Sequence, residues 1–124
     1  MAKRVLLVDD SPSVVQAAYD RLEERGYIVD VAYNGLEALK RIVAAAPDLI
    51  IMDIEMPKMR GDEAAEQIRE NPMWALIPMI ALSARKPEAL GARFSLFNAY
   101  LIKPFGFEEM LKMVEELIGP AESG

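Results

Sequence analysis

The chain has 124 residues, 52% apolar and 27% charged, which suits one ordinary domain with a buried core and excludes a mainly disordered chain. It contains no cysteine and no histidine, so disulfides, thiolate and imidazole metal sites, cysteine nucleophiles, serine–histidine triads and histidine phosphocarriers are all excluded. A formal charge of −6 argues against nucleic acid as a direct ligand. No apolar run approaches the roughly 18 residues of a membrane span, and Met1-Ala2-Lys3-Arg4 leads into a short apolar run that stops at two aspartates. That is not a signal-peptide pattern, so a cytoplasmic location is expected, with no membrane partner.

Short apolar runs alternate with helical patterns from end to end. Val5-Leu6-Leu7-Val8 is a β-type run of the kind covered on both faces. Ser11-Pro12 then offers an N-cap and a proline at the first helical position. The spacing predicts a helix to about Arg25, with Val15, Ala18, Tyr19 and Leu22 inward and Gly26 ending it. A second strand is expected over Tyr27 to Ala32. Asn34-Gly35 opens a second helix with Leu36, Leu39, Ile42 and Val43 inward. Leu49-Ile50-Ile51-Met52, the most hydrophobic strand, stops at Asp53, and a third helix is expected over about Asp62 to Glu70. Met79 to Leu82 and Ala99 to Ile102 are the last two strands, ending at Ser83 and at Lys103-Pro104. Phe107, Met110, Leu111, Val114, Leu117 and Ile118 form an amphipathic stripe, stopped by Gly119-Pro120. Strands alternating with helices imply a parallel sheet covered on both faces, an α/β doubly wound (βα)5 domain.

In such sheets, sites form outside the carboxyl ends of the strands. Those ends carry Asp9 and Asp10 after the first strand, Asp53 after the third, Ser83 after the fourth and Lys103 after the fifth. Three carboxylates in one place repel one another and raise each other's pKa values unless something compensates. A hard divalent cation with oxygen ligands does so, and a lysine opposite suits an anion that also touches the metal. Each residue also has a plainer reading. Asp9-Asp10 is a possible turn and helix cap, Ser83 a strand-end turn residue, Lys103 a solvated lysine before proline, and Tyr100 a half-buried packing residue. Asp53 resists the plain reading, because a carboxylate behind four apolar residues of a buried strand is costly without a purpose.

These motifs together resemble the receiver domain of bacterial two-component response regulators, over roughly Arg4 to Ile118. The resemblance is carried by Val8-Asp9-Asp10-Ser11, Asp53-Ile54-Glu55-Met56-Pro57 with Gly61, Ile77-Pro78 ahead of Ala81-Leu82-Ser83-Ala84, and Tyr100-Leu101-Ile102-Lys103-Pro104-Phe105. It implies a receiver domain over residues 1–119, with residues 120–124 as a flexible tail, and flavodoxin-like strand order 2-1-3-4-5. It further implies that Asp53 accepts a phosphoryl group from a histidine kinase or histidine phosphotransfer protein. Mg²⁺, with Mn²⁺ able to substitute, is expected on Asp10, Asp53 and the backbone carbonyl of Glu55, and on Asp9 through water. Lys103, Ser83 and the Ala84 backbone are expected to contact the phosphoryl group. Tyr100 is implied as an aromatic switch that moves with Ser83, and the state is expected to pass to a downstream protein by contact. Such a domain phosphorylates and slowly dephosphorylates itself and is not expected to turn over an external substrate.

Two departures stand out. Pro87 and Gly91 interrupt the expected fourth helix, and Phe94-Ser95-Leu96-Phe97 follows where small residues are usual. A short or poorly formed helix is expected between Pro87 and Phe97, since glycine costs a helix interior about 1 kcal/mol. Glu55 and Arg85, each two residues beyond a site residue, are expected to pair as ions across the site mouth. Three other functions compete with the phosphoryl switch. A dehalogenase-like phosphatase wants Asp-x-Asp after the first strand, and a flavin carrier wants a glycine- and hydroxyl-rich loop there. A receiver-like interaction domain without phosphorylation remains as the alternative from a different class.

Overall fold

A computed structural model describes residues 2–122. Five parallel strands form one sheet: β1 (Arg4–Val8), β2 (Ile28–Ala32), β3 (Leu49–Asp53), β4 (Met79–Ser83) and β5 (Ala99–Ile102), in the order β2-β1-β3-β4-β5. Four α-helices connect or follow them: α1 (Pro12–Glu24), α2 (Gly35–Ala44), α3 (Gly61–Glu70) and α4 (Phe107–Ile118). Between β4 and β5 lies a 3₁₀ segment, Pro87–Leu96. The flavodoxin-like order expected from the sequence is thus the observed one, with the order of winding, not strand direction, reversing between β1 and β3.

Every residue of β3 and β4 is buried, which explains their unbroken apolar sequences. The two-residue period of a strand then divides the core. Val5, Leu7, Leu49, Ile51, Ile80 and Leu82 pack on one face with α1 and α4. Leu6, Val8, Ile50, Met52 and Met79 pack on the other with α2 and α3.

Several local expectations need correction. Ser11 holds the N-cap position of α1, but its hydroxyl faces Ser13 Oγ at 3.2 Å and caps no backbone N–H. Tyr19 is only partly buried on the α1 stripe. On α2 the inward face is Gly35, Ala38 and Ile42, with Leu39 partly covered, while Leu36 and Val43 face solvent. Close docking explains this rotation: a Cβ at Gly35 would lie 2.8 Å from the Met59 carbonyl oxygen, and Gly35 N–H already donates to that oxygen at 3.1 Å. Small residues win that face over larger ones because they let the backbone come near. Residues 120–122, expected as flexible tail, dock onto the domain instead. Ala121 is buried, its carbonyl accepts from Lys3 N–H at 2.8 Å, and Glu122 bridges Ala2. The remainder of that tail, Ser123 and Gly124, lies outside the described residues.

The interrupted fourth helix is found as expected. Gly91 sits at φ 57°, ψ −130°, where helical backbone cannot continue, and the flanking residues form 3₁₀ turns. Phe94 is half exposed, whereas Phe97 packs against the α3 side of the core.

Candidate functional site

Parallel strands bring their carboxyl ends to one edge, and the edge next to the β1–β3 reversal holds the acidic residues. Asp9 is fully buried immediately after β1. Its Oδ1 accepts Ser11 N–H at 2.9 Å, which turns the chain into α1, and its Oδ2 accepts Lys103 Nζ at 2.8 Å. Asp10 is exposed. Asp53, the last residue of β3, is buried, with Lys103 Nζ 3.4 Å from its Oδ2. Carboxylate oxygens of Asp9, Asp10 and Asp53 lie within 4.8 Å of one another.

The electrostatics follow from that crowding. Burial, then the neighbouring Asp9 charge, push the Asp53 carboxyl up to about 7, against the opposing pull of Lys103. Burial acts to lower the Lys103 ammonium, but its hydrogen bond to Asp9 and the Asp53 charge outweigh this and raise it. A single ammonium therefore faces three carboxylates, and the pocket has oxygen donors and spare negative charge. Such a donor set suits a hard divalent cation, with one carboxylate, Asp10, open to solvent for exchange.

The loop after Asp53 is tied in place by backbone. Ile54 N–H donates to Leu82 O at 2.9 Å and Gly61 N–H to Ile54 O at 2.9 Å. A Cβ at Gly61 would collide with the Asp53 carbonyl oxygen, so only glycine lets α3 begin this close to the strand end. The sequence shows Gly61 in its motif but gives no sign of what it touches.

Ser83 ends β4 and is buried. Its hydroxyl donates to Glu55 Oε1 at 2.7 Å, with Oε2 at 3.2 Å, and accepts Arg85 N–H at 3.0 Å. The expected Glu55–Arg85 ion pair is therefore absent: the Glu55 carboxylate turns inward to the serine, and Arg85 contributes its backbone, not its guanidinium. Sequence spacing puts both charges at the site mouth, but the one-proton hydroxyl between them is the nearer partner for a carboxylate. Ala84 is exposed beside Ser83. Tyr100 is half-buried on β5; its hydroxyl donates to Arg85 O at 3.2 Å, and its ring lies 6.3 Å from that of Phe94. The Lys103–Pro104 bond is cis. Next to Lys103, a cavity of about 470 Å³ is lined by Val14, Ala84, Pro104, Phe105 and Phe107.

Comparison with known proteins agrees with this geometry. The response regulator receiver domain family matches residues 5–115. The chain is 34% identical over 125 residues to the alkaline phosphatase synthesis transcriptional regulatory protein PhoP of Bacillus subtilis, covering 98% of this chain and 51% of that protein. It thus spans about half the length of that relative. The chemotaxis response regulator CheY4 of Vibrio cholerae superposes with a TM-score of 0.87 at 31% identity, over 94% of this chain and 99% of that one. Response regulator TrrA of Thermotoga maritima, solved in complex with Mg²⁺–BeF, superposes with a TM-score of 0.84 at 36% identity, over 93% and 98%. With the strand order, the acidic pocket and the family match in agreement, the chain belongs to the response regulator receiver domain family, whose members act as signalling switches.

Proposed function

We propose that Asp53 is the phosphoacceptor of this receiver and that its state is relayed by protein contacts. The observation that carries the reading is the placement of the Asp53 carboxylate: buried, 3.4 Å from an ammonium, and sharing a pocket with two further carboxylates. An Asp53 oxygen attacks the phosphorus of a phosphohistidine. The new O–P bond forms as the N–P bond breaks, and the electron pair leaves on the imidazole nitrogen. Phosphoryl transfer asks little more of a protein than an aligned nucleophile and positive charge around the equatorial oxygens. Lys103 supplies one such charge from just past the end of the fifth strand. In this reading Asp10, Asp53 and the Glu55 carbonyl would hold Mg²⁺, or Mn²⁺ in its stead, with Asp9 acting through water. When bound, the ion neutralises charge on the phosphoryl oxygens.

Ser83 and the Ala84 backbone, at the end of β4, contact the phosphoryl group in this reading, and Tyr100 is tied through Arg85 to the same turn, so a shift of Ser83 reaches the β5 surface. The donor is a sensor histidine kinase or a histidine phosphotransfer protein. Its carrier surface has to rest beside Asp53, where the apolar cavity at Val14, Phe105 and Phe107 offers a seat. The downstream partner is a protein, since net charge disfavours nucleic acid, and the setting is the cytoplasm.

Incubation with Mg²⁺ and acetyl phosphate, followed by intact-mass measurement, tests the reading. One phosphoryl adduct is expected on the native chain, none on Asp53→Asn, and none with excess chelator. A native chain that takes no phosphoryl from acetyl phosphate or a phosphohistidine donor, while a control receiver does, would favour the interaction domain without phosphorylation.

A further inference from the structure

The Ser83 hydroxyl has one proton to donate, and it is already committed. It goes to the Glu55 carboxylate at 2.7 Å, while the Arg85 N–H occupies one acceptor position of the same oxygen at 3.0 Å. A hydroxyl bonded to a carboxylate is held about twice as firmly as by a neutral acceptor. Ser83 is 1% exposed, so water does not compete freely for that proton. Among the described residues the Glu55 carboxylate, in turn, has no lysine or arginine within ion-pair distance, and Ser83 is its one hydrogen-bond partner.

We propose that Glu55 is a positioning residue that latches Ser83 in the unmodified protein. The inference rests on the reading of Asp53 as acceptor and Ser83 as phosphoryl contact, and it adds what restrains that contact beforehand. Glu55 lies two residues past Asp53 on the same loop, so a phosphoryl group on Asp53 places new negative charge beside the Glu55 carboxylate. Repulsion loosens the latch at the moment the phosphoryl oxygens offer Ser83 a replacement acceptor. The hydroxyl exchanges one anion for another. Because Arg85 N–H is bonded to Ser83 Oγ and Arg85 O to the Tyr100 hydroxyl, release moves a turn that Tyr100 touches. Glu55 thereby sets how readily the modified conformation is reached, at the cost of affinity for the phosphoryl group.

Beryllofluoride, titrated into the full chain at saturating Mg²⁺ and followed by ¹⁹F NMR, measures this directly. Glu55→Ala is expected to bind the probe about tenfold more tightly than wild type, the scale of one hydrogen bond to a charged group. Glu55→Gln, which keeps an acceptor but loses the charge, should fall between. In a Ser83→Ala background the Glu55→Ala gain should disappear, because there is no hydroxyl to release. A gain of full size in that background would mean that Glu55 acts by charge alone and would overturn the latch. Equal binding by wild type and Glu55→Ala would also overturn it, as would a gain accounted for by Mg²⁺ affinity titrated without the probe. Failure of the wild type to bind beryllofluoride at all would instead remove the phosphoacceptor reading, and the latch with it.

Discussion

Gly61 and Asp53 are the two residues whose chemistry most constrains the site. Gly61 opens α3 against the carbonyl of Asp53, and any side chain there must push the helix away from the strand end. Gly61→Ala is expected to cost about 2–3 kcal/mol, the scale of overpacking a tight core position, and to lower the phosphoryl adduct yield, because the displaced backbone carries the acceptor. Urea unfolding and intact mass check both. Asp53 makes a separate prediction about pH. Its carboxyl titrates near 7 in the folded chain, raised chiefly by burial, and near the ordinary carboxylate value when unfolded. Between those values the folded state holds a proton that the unfolded chain has released, so wild-type stability falls as pH rises through this window. Asparagine cannot ionise. Without metal, Asp53→Asn should therefore be more stable than wild type at pH 8, by an amount on the order of a few kcal/mol. The two should converge near pH 4, and Mg²⁺ should narrow the gap at pH 8 by compensating the wild-type charge.

The 3₁₀ segment is broken at Gly91, and two arginines hold it in place. Arg93 donates to Asp62 Oδ2 at 3.0 Å and Glu66 Oε2 at 2.8 Å on α3. Arg69 of α3 donates to the carbonyls of Leu96, Ala75 and Ile77 and to Asn98 Oδ1. Burial acts to raise the Asp62 carboxyl, but hydrogen bonds from Arg93 and Arg60 prevail and hold it below its usual value. A lowered carboxylate contributes stability above its unfolded pKa and loses it as pH falls through the folded one. Arg93→Ala should thus lower stability at neutral pH, an effect that fades in acid. Hydrogen exchange should quicken across residues 87–97 while β4 and β5 stay protected. How much of this was legible in the sequence differs by element. Pro87 and Gly91 announced the broken helix, because backbone breakers act locally. The arginine clamps and the turned face of α2 could not be read, because each depends on which neighbour lies across a tertiary contact. The same division holds at the site: strand ends placed Asp9, Asp10, Asp53, Ser83 and Lys103 together, whereas the partner of Glu55 was decided by the path of a loop.

At the scale of the whole molecule, the edge opposite the acidic pocket is closed where Ala2 and Lys3 meet Ile118 to Glu122. Lys3 N–H donates to Ala121 O at 2.8 Å, the Lys3 ammonium to Ile118 O, and the Tyr27 hydroxyl to Gly119 O at 2.8 Å. Ala121 fills a place in the core shared with α1, β1 and α4, and its Cβ would sit 3.4 Å from one added at Gly26. The closure joins the start of β1, the turn into β2 and the end of α4, three points far apart in sequence. Its bonds therefore tie down the sheet edge at β2 and the helix end together, and their loss should weaken the fold globally and not fray one terminus. Tyr27 is 3% exposed and burial raises its phenol, so its hydroxyl stays a donor throughout the neutral range. Tyr27→Phe removes that donor and leaves the Gly119 carbonyl to water at the rim, which should cost about 1 kcal/mol. Ala121→Asp, which buries a charge in the same place, should cost several times more. Both variants should still form the Asp53 adduct when folded, because the pocket lies at the other ends of the strands. Paired urea titrations and acetyl phosphate labelling separate the two effects, and a Tyr27→Phe protein that is fully stable yet unlabelled would contradict this assignment of roles to opposite edges of the sheet.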